Sequence, residues 1–456
     1  MISMKSSVFL SLFFVIGLTL VHGQDGARTL TFKEAVKLGL DKNLTLNQQE
    51  NLLISSQVNK VSGMMSMGPS ISINGNAGRN DGNSFNQQQG QVVNGVIDFF
   101  GANANATMPL FNGFNSFNAY RQASNQYEAQ VQFVRRTNQD VIRNVANQYL
   151  ICLLDQQLLS IQEQNVLTQQ QQYRQIEAQV EAGSRAEVDL VNQQYQVKNA
   201  ELLSMRAAFT LRNDLATLAQ TLQLDPLIPL ELAEPSWDVN LEDSEVNGID
   251  EISVRALENR GDLAQARYTE KASQFGYQST KGSYFPRVGV FAQYGSRYNY
   301  IHPSETFSPN NRTFEQQFRD DNTQLTYGLT FSIPIFGALQ NRNAAVSNRI
   351  AYENSKLQTE NTEILVKSDV IRAYQNYRDA RVNYDAANSQ LAAAELARQL
   401  EQERYRLGVS DIVALTLANQ NYFRAQGDFA SARYTLMFQK LLIKYAEGTL
   451  NYEDIP

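Results

Sequence analysis

The chain has 456 residues, of which 43% are apolar, and carries a formal net charge of −7. This length allows two or three average domains, and the composition is too polar for a bundle of transmembrane helices. A single cysteine excludes an intrachain disulfide and a cysteine metal cluster, and two histidines leave little for histidine-based catalysis or zinc binding. The negative charge also argues against nucleic acid as a partner.

Residues 1–23 have the pattern of a secretory signal peptide. Lys5 precedes an apolar run, and Val-His-Gly at 21–23 resembles a small-residue cleavage site. An uncleaved anchor helix is the alternative, although the run is short for a membrane span. No cysteine lies at the cleavage point to accept a lipid. The sequence therefore predicts an exported chain that starts at Gln24.

The chain contains one structural unit twice. Pro109 recurs as Pro334, in a register that continues without a gap to Gly183 and Gly408. Such self-similarity predicts a duplicated architecture, with a proline-containing linker between the copies. The predicted division is a signal peptide at 1–23, a first repeat at 24–224, a linker at 225–250, a second repeat at 251–446 and a C-terminal tail at 447–456.

Each unit contains two segments in which apolar and polar residues alternate. The four segments are 71–77, 102–110, 288–294 and 325–335. Period two predicts a strand with one apolar face, and about ten residues suffice for a tilted strand to cross a bilayer. A soluble sheet with one solvated face is the alternative. The export signal and the aromatic residues Tyr294, Tyr298 and Tyr327 favour the membrane.

Four strands are too few to close a barrel within one chain. An open sheet edge is not tolerated in hydrocarbon, because its N–H and C=O groups find no partner there. If these strands cross a bilayer, several chains must therefore contribute to one barrel, which predicts an oligomer.

Two helical stretches in each unit are too long for an ordinary globular domain. Residues 115–179 contain no proline or glycine, which predicts a helix roughly 100 Å long at about 1.5 Å per residue. Apolar residues recur there at heptad spacing, as in a coiled coil. The predicted seam comprises Val131, Val145, Cys152, Leu159, Val166, Tyr173 and Val180, then Val370, Tyr377, Tyr384, Leu391 and Tyr405, with Asn138 and Arg398 as exceptions. A soluble bundle or filament would have the same pattern.

Each long helix ends near a glycine, Gly183 or Gly408, and a further helix starts within a few residues. Asp411 is a candidate N-cap for the later of these helices. Each unit is therefore predicted to form a long helical hairpin whose turn lies far from the strands. Pro109 and Pro334 mark the change from strand to helix.

Four short motifs accompany this plan: Pro-Leu-Phe-Asn-Gly at 109–113, Pro-Ile-Phe-Gly at 334–337, Leu-Asp-Lys-Asn at 40–43 and Leu-Glu-Asn-Arg at 257–260. Together with the duplication and the hairpin glycines, they resemble the TolC-type outer membrane efflux family over essentially the whole mature chain. The resemblance implies an α+β homotrimer in the outer membrane lipid. A twelve-stranded transmembrane β-barrel, with four strands from each protomer, would continue into a periplasmic α-helical barrel.

The same resemblance implies a passive duct without cofactors that docks to a periplasmic adaptor protein and an inner-membrane transporter of the RND or ABC type. Docking would use the grooves near the hairpin ends, 182–190 and 407–415, which contain Gly183, Gly408 and Asp411.

In this family the periplasmic end narrows into a gate with a Tyr before the hairpin glycine and an Arg and an Asp after it. The first repeat offers Arg185 and Asp189 but has Val180 in place of the Tyr, whereas the second has Tyr405 but neither charged residue. The resemblance therefore implies an incomplete latch. Our hypothesis is an acidic ring of Asp189 side chains with Arg185 and Tyr405 as partners; a solvated Asp189 is the alternative.

Two functions of other classes fit the sequence less well than the duct. An exported coiled-coil structural protein or adhesin has no need of strand pairs set inside its helical repeats. An enzyme would need a recognisable set of catalytic side chains, whereas the carboxylates here follow the pattern of solvated helix surfaces. The sequence therefore favours a channel that is not an enzyme.

Overall fold

The computed structural model describes residues 28–86, 90–225, 227, 229–234, 248–303 and 310–455. The predicted signal peptide and its cleavage site lie outside the described residues, as do Pro226 and Pro235 of the predicted linker. The described residues include almost all of both predicted repeats.

The elements follow one another in the predicted order. The first repeat contains β1 Arg28–Leu30, α1 Phe32–Lys42, α2 Leu44–Met65, β2 Ser70–Asn86, β3 Gln91–Phe111, α3 Asn115–Glu181 and α4 Glu187–Thr221. The second contains β4 Leu230–Leu232, α5 Ile249–Asn259, α6 Gly261–Gly282, β5 Arg287–Ile301, β6 Gln324–Ser332, α7 Gln340–Arg406 and α8 Ile412–Glu447. A π-helical segment, Gln316–Asp321, precedes β6, and a 3₁₀ turn, Tyr452–Asp454, follows α8.

The helices of the two repeats have matching lengths. α1 and α5 have 11 residues each, α2 and α6 have 22, and α3 and α7 have 67. Each 67-residue helix also starts after a residue in the left-handed conformation, Phe114 at φ 62° and Leu339 at φ 64°. The predicted internal duplication is thus present in the fold, down to the backbone at the start of each long helix.

The four long strands form one antiparallel sheet in the order β2-β3-β5-β6. Because β3 pairs with β5, the sheet joins the two repeats. β6 ends at Ser332, short of the predicted end at Ile335, and Pro334 beyond it has no N–H to donate to a ladder. Pro109 lies within β3, where the register with β5 shifts. Among the described residues of one chain, β2 and β6 each leave one edge of this sheet unpaired.

The sheet has one apolar and one polar face. Residues that lie opposite one another on the apolar face are Ile71, Ala106, Ala292 and Tyr327. The next residues, on the other face, are Ser72, Asn105, Gln293 and Thr326. The alternation in the sequence therefore becomes the two-sided surface expected of a strand between lipid and water.

Aromatic rings pack at one level of the apolar face. The ring of Phe314 lies 6.0 Å from that of Phe100, 5.2 Å from that of Tyr298 and 5.1 Å from that of Phe318, centroid to centroid. Aromatic side chains form girdles where a transmembrane barrel meets the water on either side of the membrane.

The main apolar core surrounds the middle of α3. Phe32 of α1 stacks on Tyr149 of α3, with ring centroids 5.0 Å apart. The Tyr149 hydroxyl lies 2.9 Å from the carbonyl oxygen of Leu30 and 2.7 Å from that of Ala233. These carbonyls flank the parallel pair β1–β4, so one side chain connects both strands to the long helix.

The described part of the predicted tail, 447–455, packs into the same core. Leu450 and Ile455 are fully buried. Nε2 of Gln139 on α3 donates to the carbonyl oxygen of Gly448 at 2.8 Å. The end of the second repeat is therefore held against the first.

The buried stripe of α3 differs in part from the predicted heptad seam. Val145 and Cys152 are buried as predicted, but nearer the hairpin turn the buried residues are Ile161, Gln169, Gln172 and Ile176. An undistorted α-helix drifts about 20° per heptad, which moves a fixed heptad position away from the partner helix. A polar contact also enters this stripe, since Nε2 of Gln193 donates to Oε1 of Gln169 at 2.8 Å.

None of the helices in the described part of the chain is both long enough and apolar enough to span a bilayer.

Candidate functional site

The sequence places the candidate site at the two hairpin turns, and both turns have the same backbone. Gly183 and Gly408 have φ values of +70° and +73°, in the left-handed region that favours glycine. Ser184 N donates to Gln179 O and Val409 N to Arg404 O, both at 2.9 Å. This is the bond pattern that satisfies the last carbonyl groups of a helix.

The helices that follow the turns start differently. Asp411 caps α8, because its side chain accepts a hydrogen bond from Ala414 N at 2.8 Å. Ala186 precedes α4 without a side-chain cap, although Glu187 and Asp189 lie in the first turn, where acidic residues are favoured.

The structure brings together the three residues proposed for the gate. Nε of Arg185 lies 3.9 Å from Oδ2 of Asp189. The guanidinium carbon of Arg185 lies 5.5 Å from the centroid of the Tyr405 ring, within the range of a cation–π contact. Arg185 therefore contacts an acid on its own hairpin and an aromatic ring on the other.

Two polar atoms of this cluster lack a partner. Nη1 of Arg185 and the hydroxyl oxygen of Tyr405 are buried and make no hydrogen bond to any described residue. Buried polar groups are nearly always satisfied, so these atoms mark a place where a further group belongs.

Sequence reasoning missed two residues near the second turn. Glu401 on α7 accepts a hydrogen bond from Ser410, across the turn, and is paired with Arg404 at 3.0 Å. Arg398 lies over the ring of Tyr422 on α8 at 4.1 Å, so it connects the two helices of this hairpin. The heptad pattern shows Arg398 only as a break in the seam, because spacing along one helix does not show which side chains the neighbouring helix presents.

The proposed docking residues lie on the surface of one chain. Gly183, Gly408 and Asp411 are exposed, and a Cβ added at either glycine would meet nothing within 4 Å. Exposed apolar side chains surround the second turn, namely Leu407, Val409, Val413 and Leu417. The turns therefore offer apolar surface together with a free backbone.

The junction between strand and helix is tightly packed, in contrast to the hairpin turns. Gly113 has φ +68°, and a Cβ there would collide with the carbonyl oxygen of Gly282 on α6. Asn115 Nδ2 donates to Ser279 O at 3.1 Å, and Ser279 Oγ donates to Asn115 O at 3.2 Å. The sheet and the long helix are thus held in a fixed relation to the second repeat.

The residues of the site interact through charge, hydrogen bonding and apolar contact. In the parts of the chain that the structure describes, no group of three or more His, Cys, Asp or Glu side chains is placed to hold a metal ion.

The sequence profile of the outer membrane efflux protein family matches residues 39–222 and 252–439, one match in each repeat. The chain belongs to this family. The predicted family, the duplicated α+β fold and the location in the outer membrane with helices that extend into the periplasm are therefore confirmed.

Relatives in this family are distant. Outer membrane protein TolC of Salmonella enteritidis is 24% identical over 204 residues, which cover 44% of this chain and 40% of that protein. The probable efflux pump outer membrane protein TtgC of Pseudomonas putida is 22% identical over 341 residues, or 73% of this chain and 65% of that protein. The chain thus aligns with less than two thirds of the length of either relative.

Solved structures share the fold over nearly the whole chain. The outer membrane protein VceC of Vibrio cholerae superposes with a TM-score of 0.78 at 13% identity, covering 91% of this chain and 96% of that one. The open state of the MtrE outer membrane channel of Neisseria gonorrhoeae superposes with a TM-score of 0.74 at 16% identity, covering 92% and 91%. At such identities the likeness establishes the fold alone.

Proposed function

We propose that three copies of this chain form an outer membrane channel that serves as the passive exit duct of a tripartite efflux pump or a type I secretion system. The observation that carries the proposal is the two-faced sheet, β2-β3-β5-β6, whose two outer edges have no partner strand in the described part of one chain. An unpaired edge in hydrocarbon costs several kcal/mol for each unsatisfied group, as an order of magnitude.

Closure of the sheet by neighbouring copies removes this cost. Three chains supply twelve strands, an even number within the range of bacterial barrels. The polar face, with Ser72, Asn105 and Gln293, then lines a water-filled lumen, and the apolar face meets lipid. The long hairpins continue the duct into the periplasm.

A duct of this kind needs a partner that supplies energy and cargo. We assign this role to an inner-membrane transporter of the RND or ABC type, joined through a periplasmic adaptor protein. The adaptor would contact the hairpin turns at Gly183, Gly408 and Asp411, where exposed apolar side chains surround an unobstructed backbone.

We place the gate of the duct at Arg185, Asp189 and Tyr405. Support comes from the contacts among these three residues and from the two buried polar atoms that have no partner among the described residues of a single chain. In a trimer, a group of a neighbouring copy pairs with Nη1 of Arg185, and the three Asp189 carboxylates narrow the end of the tunnel.

The test is planar-bilayer conductance of the detergent-purified protein, with the mass of the particle determined on the same sample. Discrete conductance steps from a trimer-sized particle are expected. A water-soluble monomer or dimer that never inserts would overturn the proposal and favour a coiled-coil structural protein or adhesin. If the particle is a trimer without conductance, its gate is closed, and substitution of Arg185, Asp189 or Tyr405 should then produce conductance.

Two adjacent residues on opposite faces of β6 provide matched variants. Leu329 pairs with Val290 on the apolar face, and Thr330 pairs with Gly289 on the polar face. Leu329→Lys should prevent membrane assembly, since a lysine on the lipid face costs about 2–4 kcal/mol at the bilayer midplane. Thr330→Lys should assemble and alter ion selectivity. Equal behaviour of the two variants would contradict the assignment of the faces.

A further inference from the structure

The sheet and the parts of the helices that adjoin it contain no acidic residue over long stretches of sequence. Residues 51–80, 99–127, 271–303 and 322–352 include lysines and arginines but no Asp or Glu, in a chain that has 39 basic and 46 acidic residues. These stretches contain the ends of the four long strands that meet the long helices. The barrel end of the chain is therefore basic, although the chain as a whole is acidic.

The two faces of the sheet differ in charge. The acids of the four long strands are Asp81 and Asp98, and the strand register places both on the apolar face. Asp98 is also neutralised there, since its Oδ1 lies 2.6 Å from Nε of Arg79 on the paired strand. The polar face carries Arg287 and Arg297 and has no acid along these strands. The face that lines the proposed lumen is therefore positively charged.

Arg287 is the uncompensated charge of this face. It is exposed at the start of β5, opposite Ser332 on β6, and its side chain makes no ion pair or hydrogen bond to any described residue. Arg297, towards the other end of β5, shares a polar cavity with Asp321, whose carboxylate is held by Arg312 at 2.7 Å. Arg287 is thus available to bind an anion at the mouth of the barrel nearest the tunnel.

An aromatic ring lies on the same face, four residues further along β5. Phe291 is opposite Thr107 of β3 and Gly328 of β6, and its ring covers Gly328, where an added Cβ would lie 3.2 Å from Cε1. Gly289 lies between Arg287 and Phe291 and has no side chain to fill the gap of about 13 Å, at about 3.3 Å per residue. Arg287 and Phe291 both line a cavity of about 450 Å³. This cavity thus combines a cation, an aromatic ring and an open glycine between them.

We propose that this cavity is a subsite of the duct for amphipathic organic anions, in which Arg287 binds a carboxylate or sulfonate group and the ring of Phe291 packs against the apolar body. This role as a cargo subsite rests on the duct proposed above, in which three such cavities surround one passage. A guanidinium group offers paired N–H donors that match such anionic groups. Between low-dielectric walls, charges of one sign also raise the local concentration of counter-ions.

Equilibrium dialysis of the detergent-solubilised protein against naphthalene-2-sulfonate tests the subsite without requiring an open gate, with protein-free micelles as the baseline. Arg287→Gln should bind this anion about tenfold or more weakly than the wild type, because one charge-assisted hydrogen bond is lost. The cation 2-naphthylmethylammonium, with the same ring system, should not distinguish the two proteins. Arg79→Gln removes the same charge from the opposite face and should bind the anion like the wild type.

Three results would overturn the subsite. These are the absence of saturable binding of the anion by the wild type, equal binding by the wild type and Arg287→Gln, and an equal loss in both arginine variants. Because Arg287 is exposed and makes no side-chain bond to a described residue, its substitution should leave the fold intact.

Phe291→Leu separates the apolar contact from the charge. In planar bilayers, naphthalene-2-sulfonate added on the barrel side should block the wild type, and both Arg287→Gln and Phe291→Leu should shorten the blocks. In a potassium chloride gradient, the reversal potential should shift towards potassium selectivity in Arg287→Gln and stay at the wild-type value in Phe291→Leu. A conducting trimer whose block and selectivity do not depend on Arg287 would contradict the subsite alone. A particle that neither forms a trimer nor conducts would instead contradict the duct.

Discussion

Arg185, in the turn of the first hairpin, lies over the ring of Tyr405, in the last turn of α7, at 5.5 Å. This contact joins the ends of two hairpins that come from different repeats. Because the same arginine lies 3.9 Å from Asp189, one side chain connects both turns to an acidic group. The distal ends of the repeats are therefore coupled, although more than 200 residues separate them in the sequence.

Substitution of Asp189 should change the permeation of cations. In Asp189→Asn the negative charge at the proposed constriction disappears, and Arg185 loses its ionic partner. We expect weaker block by divalent cations and more frequent opening in single-channel recordings.

Glu187→Gln is the matched control for this experiment, since Glu187 lies in the same first turn of α4 and is exposed. It should leave block and opening close to wild type. Unchanged recordings for Asp189→Asn, or an equal effect of both variants, would show that Asp189 is a solvated helix residue.

Tyr405 should act through its ring rather than its hydroxyl group, because the hydroxyl has no partner within the described chain. Tyr405→Phe should keep closed-state behaviour, whereas Tyr405→Ala should lose a cation–π contact worth about 0.5–2 kcal/mol and open more often. Single-channel open probability separates the two. If Tyr405→Phe opened as often as Tyr405→Ala, the hydroxyl would have a partner in the assembled particle.

Two glycines with similar backbone angles should respond differently to alanine. Gly113→Ala combines left-handed strain with a collision against the Gly282 carbonyl oxygen, whereas Gly183→Ala meets open space. Strain alone costs about 1–2 kcal/mol. Thermal unfolding of the two purified variants should therefore show a modest loss for Gly183→Ala and a larger loss, or failed assembly, for Gly113→Ala. Equal losses would contradict the close approach at the strand–helix junction.

Acid should destabilise the protein through Asp262. Burial opposes the charged form of this carboxyl, but hydrogen bonds and positive charge from Arg260 outweigh burial and lower the pKa of Asp262. A carboxyl of this kind stabilises the fold above its unfolded pKa of about 3.9, and this stability disappears as pH falls through the folded pKa.

The unfolding temperature of the wild type should accordingly fall more steeply below about pH 4 than that of Asp262→Asn. At pH 7 the variant should be the less stable of the two, because Arg260 loses a close ionic partner. Parallel pH profiles for the two proteins would rule out a contribution from this pair.

Local pattern was sufficient for the order of the elements and for the ends of α3, whereas β2, β3 and β5 extend well beyond the predicted segments 71–77, 102–110 and 288–294. The absence of proline and glycine after residue 115 and the glycine at 183 predicted α3, which runs from Asn115 to Glu181. Asp411 was recognisable as an N-cap because capping depends on neighbours within one turn. Family membership also followed from the order of weak motifs, each of which is local.

Contacts between helices could not be predicted in this way. The heptad seam of α3 located Cys152 correctly but gave no indication that Asp155 is buried, or that Gln169 is buried against Gln193 of α4. The sequence of a long helix does not show whether a polar residue faces solvent or the neighbouring helix, because this depends on the position and rotation of that neighbour. For the same reason, the contact between Arg185 and Tyr405 could be predicted only from the resemblance to the family.

The matching lengths of α3 and α7 impose a constraint on engineering. Removal of seven residues from one hairpin arm shortens it by about 10 Å, since each residue adds about 1.5 Å. A deletion confined to the first repeat would move Gly183 away from the level of Gly408 and separate Arg185 from Tyr405. A shortened tunnel with an intact end therefore requires equal deletions in four helices, α3, α4, α7 and α8.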